Sequence, residues 1–130
     1  MRPLAVAPGA SAPADAIVYR GHSADANPLG RLLASARVEA GGETEDRVPL
    51  SGSEAVYGWI HGSLVTHDSG IGNVQKDGAR VRLDPDTTQD NIINLRRRGE
   101  AVEVLDGSGE WLRIRLEPVT GWINGEFVTR

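Results

Sequence analysis

"GWIHGSLVT" spans residues 58–66, and "GWINGEFVT" spans residues 121–129. Between them they hold Trp59 and Trp122, two of the three tryptophans in the chain. A shift of 63 positions (121 − 58) lays Gly58, Trp59, Ile60, Gly62, Val65 and Thr66 on identical residues and sets Leu64 against Phe127. A rare residue matched inside identical flanks reads as duplication, and self-similarity at a fixed period marks a repeated fold unit. Carried upstream, the same shift sets Ala16 on Ala79, Val18 on Val81 and Leu32 on Leu95. In the middle of the repeat a one-residue gap pairs Val38 and Ala40 with Val102 and Val104.

Outward from 121–129, the second copy consists of strand and turn signals. "GNVQ" (72–75) and "ARVRL" (79–83) flank Lys76-Asp77-Gly78, and Asp-Gly between two such runs predicts a hairpin. "DPDTTQDN" (84–91) is a polar loop, "IINL" (92–95) a short apolar run and "RRRGE" (96–100) a turn. "AVEVL" (101–105) alternates with period two, placing Val102 and Val104 on one face. "DGSG" (106–109) reads as a turn into "EWLRIRL" (110–116). The first copy is looser, with strand candidates at 16–19, 30–34, 36–40, 46–50 and 56–60. About five short strands per copy with no helical stripe predict small barrels. The expected division is a flexible Ala/Pro-rich arm at 1–14, a divergent barrel at 15–66, a linker at 67–71 and a second barrel at 72–130. Barrels of about 60 residues are marginal alone, so the two halves are expected to support each other.

Composition excludes several function classes. A 39% apolar fraction with 16 glycines in 130 residues suits tight turns better than a helical bundle. Net charge is −4, split as −2 over 1–66 and −2 over 67–130, so no nucleic-acid partner is expected. No run approaches the roughly 18 apolar residues of a membrane-spanning helix, so membrane insertion is not expected. Without cysteine, disulfides, thiolate metal sites and cysteine nucleophiles are excluded. The first 16 residues show no signal-peptide core.

The segments "DGARVRLDPDT" (77–87), "LRRRGEAVEVL" (95–105), "GEWLRIR" (109–115) and "GWINGEFV" (121–128) together resemble a bacterial SH3-type domain over nearly all of 72–130. The first half resembles that family through its "GWIHGSLV" ending, its length and a few apolar positions; Val48 stands where Trp111 does, and His22 where Pro85 does. The resemblance implies an all-β tandem of two SH3-like barrels that is non-catalytic and extracytoplasmic, in a cell envelope or a virion. Its implied partner is cell-wall polymer, peptidoglycan peptide or glycan. The alternative is a protein partner in a phage particle or envelope complex. Trp111 matches the groove tryptophan of eukaryotic SH3 domains, but "NGEF" (124–127) replaces the Pro and Tyr that finish that groove, so polyproline binding is not expected.

If Leu112 and Ile114 face inward, alternation turns Trp111, Arg113 and Arg115 outward; Val81 facing inward likewise turns Arg80 and Arg82 outward. An aromatic beside guanidiniums suits a carboxylate-bearing peptide or a phosphate-bearing polymer, against the plainer reading of an indole capped by arginine stems. The candidate ligand contacts are therefore Trp111, Arg113, Arg82 and Arg80. Trp122 joins them as a second aromatic, although it and Trp59 read first as packing residues. Arg96–Arg98 read as a solvated corner. His61, Ser63, His67, Asp68 and Ser69 gather in one segment without a nucleophile elbow or metal-ligand spacing, so no catalytic residue, metal or cofactor is expected.

Overall fold

The computed structural model describes residues 11–23, 25–39, 46–52, 54–68, 70–87 and 91–128. Its regular structure is all β, and among the described residues the only helical pieces are 3-10 turns at Gly62–Leu64 and Gly125–Phe127. The chain forms two compact units, Met1–Val56 with Glu117–Arg130, and Tyr57–Leu116. These bounds do not follow the halves read from the repeat. The chain leaves the first unit after Val56, builds the second, and returns to the first at Glu117.

The first unit holds β1 (Ser11–Ala12), β2 (Ile17–Tyr19), β3 (Pro28–Leu32), β4 (Ala36–Arg37) and β5 (Arg47–Pro49). Strand β6 (Val56–His61) leads into the second unit, followed by β7 (Val65–Asp68), β8 (Ile71–Val74), β9 (Ala79–Arg82), β10 (Ile92–Arg96), β11 (Ala101–Ser108) and β12 (Trp111–Arg115). The last strand, β13 (Trp122–Asn124), returns to the first unit. In that unit the antiparallel order is β5-β13-β2-β3, with β1 paired separately to β4. In the second unit it is β10-β9-β6-β12-β11-β8-β7. Among the described residues neither order closes into a barrel, which corrects that part of the expectation.

Burial follows the period-two pattern. Val18, Leu32, Val48 and Ile123 are fully buried in the first unit, as are Ile60, Val81 and Ile114 in the second. The repeated glycines show which strands these segments close. A Cβ on Gly58 would lie 2.7 Å from Val81 Cγ1, and one on Gly121 would lie 2.6 Å from both Val18 Cγ1 and Tyr19 O. Val18 and Val81 are repeat equivalents, so each Gly-Trp segment packs on the valine strand of the opposite half of the sequence. The backbone agrees: Gly62 N–H donates to Glu110 O and Gly125 N–H to Asp46 O, both at 2.8 Å.

Other local expectations change for identifiable reasons. Gly78 does adopt a left-handed turn (φ 70°), but β8 and β9 are not partners: β8 pairs with β11 and β7, β9 with β10 and β6. Past β8, Gln75 N–H donates to Leu64 O, and Asp77 Oδ1 accepts the Arg98 N–H, so the turn is tied sideways to other strands. Within the expected linker at 67–71, His67 and Asp68 belong to β7 and Ile71 opens β8, with Asp68 opposite Ile71 and Gly70 at φ 86°. Strand β11 runs through Asp106 and Gly107, so the turn begins later, at Gly109 (φ 60°). The expected arm lies outside the described residues over 1–10, whereas Ser11 and Ala12 pair with Arg37 and Ala36, and Ala12 is fully buried.

Candidate functional site

A cleft of about 280 Å3 lies wholly within the second unit, lined by His61, Leu64, Lys76, Arg80, Arg82 and Trp111 among others. Trp111 opens β12, and its cross-strand partner is His61 at the end of β6, with the two rings edge to face at 5.2 Å. His61 is fixed by the following turn: its Nδ1 receives the Ser63 backbone N–H at 3.2 Å and lies 2.8 Å from Ser63 Oγ. With Nδ1 accepting the backbone N–H, the ring proton belongs on Nε2, 3.9 Å from Glu110 Oε2. Ser63 and His61 thus form a local helix cap. His67 is an exposed residue of β7 at a separate shallow depression with Thr66, Ile71 and Asn73. Ser69 and the Asp68 side chain lie outside the described residues. Among the described residues no group of three or more His, Asp or Glu side chains gathers to hold a metal ion.

The structure sorts the candidate cations into two kinds. Arg80 is exposed at the cleft, as expected. Arg82 is not outward in effect, for it is only 8% exposed and its Nη1 donates to Asn91 Oδ1 at 2.9 Å. The strand alternation does turn it away from Val81, but strands lie on both sides and the 84–91 loop is tied to it through Asn91. Asn91 in turn donates to Asp84 O and Asp86 O, so Arg82 helps hold that loop. Arg113 faces Asp106 directly across β11 and forms a bidentate pair with it at 2.9 and 2.6 Å. That pair holds the guanidinium proton more tightly than in a free arginine, and Arg113 Cζ also sits 4.6 Å from the Tyr57 ring centre. Arg115 pairs with Glu103 at 3.1 Å. Among Arg96–Arg98, Glu100 closes the turn by accepting the Arg97 N–H and bonding Arg96, which keeps its carboxyl below the usual range.

Lys76 and Arg80 line the cleft and, like Arg98 outside it, have no ion pair or hydrogen bond from their side chains among the described residues. The acid on the lining, Asp77, accepts the Arg98 N–H. The cleft therefore combines a half-buried indole, the Leu64 side chain and two uncommitted cations. His61, Leu64 and Lys76 were not among the candidate ligand contacts. The first two belong to the segment that the repeat assigned to the other half, so only cross-strand register could bring them to Trp111.

Trp122 lies in the first unit, edge to face with His22 at 5.4 Å, and is not part of this cleft. The counterpart of Trp111 in that unit is Arg47 rather than Val48. Trp111 pairs with His61 and Arg47 pairs with Asn124, and His61 and Asn124 are repeat equivalents. Arg47 is 6% exposed, donates to Gly21 O at 3.0 Å and Ser23 O at 2.7 Å, and has its Cζ 3.5 Å from the Tyr19 ring centre. Gly21 and Ser23 are the repeat equivalents of Asp84 and Asp86. The same pair of loop carbonyls is thus held by a guanidinium in one unit and by an asparagine amide in the other.

No curated protein and no solved structure matches the chain. Residues 77–129 match the family described as Bacterial SH3 domain, and that segment is one such domain, with its strands up to β12 in the second unit and β13 in the first.

Proposed function

We propose that the chain is a non-catalytic binding protein that recognises bacterial cell-wall material, peptidoglycan peptide or glycan, in the Trp111 cleft. Bacterial SH3 domains often bind cell wall or protein partners and commonly occur in extracellular or wall-associated proteins. The observation that carries the choice of site is the half-buried Trp111 beside Lys76 and Arg80, whose charges no other described side chain uses. The two units are read as copies of one plan whose closing segments have changed places. In that reading Arg47 fills the first copy's equivalent position, leaving one open site per chain. The proposed location is extracytoplasmic.

Sedimentation with purified wall sacculi tests this reading. The wild-type chain is expected in the pellet, with Trp111→Ala retained at least about tenfold less; a wild-type chain left in the supernatant overturns it. The second reading is a structural or interaction module of an envelope complex or phage particle. It is favoured by Leu95 and Ile71 of the second unit, 60% and 55% exposed, and it gains if light scattering shows a stable oligomer or one protein co-purifies.

A further inference from the structure

We infer that the Trp111 cleft captures the end of a peptide through its free terminal carboxylate, with Lys76 and Arg80 receiving the carboxylate and Trp111 and Leu64 taking the apolar side chain next to it. This rests on the wall-binding reading above and narrows it to a chemical class of ligand.

Size is the first reason. About 280 Å3 lies just below the roughly 300–1,000 Å3 range of small-ligand sites. Such a volume accommodates the end of a chain rather than a long run of polymer. Charge is the second. Five arginines of the second unit lie on β9–β12, and Arg82, Arg96, Arg113 and Arg115 each bond an acid or amide of that unit. Arg80, on β9, and Lys76, just before it, do not, and both line the cleft. A carboxylate is an acceptor without a proton to give, matching a site whose free polar groups are donors. The counterweight is Asp77, whose carboxylate also lines the cleft but is turned to the Arg98 N–H. The third reason is that the apolar side of the site is already ordered. Trp111 is braced by His61, and His61 by Ser63, so little side-chain freedom remains to be lost when a ligand docks.

The test is a titration of the full chain with two probes, a synthetic tripeptide ending in Ala-Ala with a free carboxylate and the same peptide as its C-terminal amide. Binding is followed by the Trp111 indole N–H and the Arg80 backbone N–H in two-dimensional NMR. The acid is expected to bind at least about tenfold more tightly than the amide, the worth of roughly 1.4 kcal/mol. The double variant Lys76→Gln/Arg80→Gln, at two exposed positions, is expected to bring that preference below about twofold. Equal binding of acid and amide, no binding of either, or a preference that survives in the double variant overturns the inference. Sacculus sedimentation is scored separately. A chain that sediments without discriminating between the peptides loses this inference and keeps the wall reading; one that discriminates but stays in solution does the reverse.

Discussion

Arg47 shows how much one side chain decides in this protein. It comes from a strand read as "DRVPL" and looks like any surface arginine, yet it is buried, with two backbone carbonyls and the Tyr19 ring as its environment. Its repeat counterpart is an aromatic, Trp111, while the counterpart of Tyr19 is a cation, Arg82. The two units thus carry an aromatic and a cation at the same two places, in opposite order. Arg47→Ala strands the Gly21 and Ser23 carbonyls. With hydrogen bonds to a charged donor worth about 1.5–3 kcal/mol, the variant is expected to lose roughly 2–4 kcal/mol in urea unfolding. A loss under about 0.5 kcal/mol would show that water or Asn124 replaces it. That Trp111 rather than a duplicated tryptophan borders the cleft was legible, because it has no twin. That Arg113 and Arg82 are engaged elsewhere was not, since alternation reports the side of a strand and says nothing of what covers it or pairs across it.

At the scale of the element, the Gly-Trp segments were recognisable as closing pieces but not by what they close. Their glycines exist for close approach: strand packing on Val81 and Val18 leaves no room for a Cβ. Gly121→Ala is expected to cost more than Gly58→Ala. The Gly121 Cβ meets the Tyr19 carbonyl oxygen at 2.6 Å, and backbone cannot swing aside, whereas Gly58 meets only the Val81 and Ile93 side chains within 3.0 Å. Overpacking of this kind typically costs about 1–3 kcal/mol, and thermal unfolding of the two variants would reverse the proposed order if Gly58→Ala proved the worse. The strand positions themselves were readable in the first half, where the candidates at 16–19, 30–34 and 56–60 overlap β2, β3 and β6. The Asp-Gly turn was readable as a turn and misleading as a hairpin. A tight bend fixes the local chain direction, but partners for the strands beyond it are chosen by the whole sheet.

For the whole molecule, the consequence is that neither contiguous half contains a complete unit. Residues 1–66 lack β13, which lies between β5 and β2, and residues 67–130 lack β6, which lies between β12 and β9. Each missing strand carries a fully buried residue, Ile123 or Ile60. Small units have little stability to spare, so the separately produced halves 1–66 and 67–130 are each expected to give poorly dispersed NMR spectra. Mixed in equal amounts they are expected to regain the dispersion of the intact chain. A well-dispersed, cooperatively unfolding 67–130 fragment would show instead that the family segment closes on its own β13, and the cleft would then lose His61 and Leu64.

Composition and strand periodicity determine from the sequence alone that this is an all-β chain, and residues 77–129 match a bacterial SH3 domain. They also single out Trp111, since period-two alternation and a missing twin are both properties of linear order. Tertiary structure alone decides that β6 lies between β12 and β9 and β13 between β5 and β2, that Arg47 is buried against the Tyr19 ring while the Trp111 cleft stays open, and that Lys76 and Arg80 remain uncommitted. The physical reason is that strand partnership and charge pairing are contacts between residues far apart in the chain. The same alternating sequence can satisfy them with either copy of a repeated strand, and the choice rests with packing.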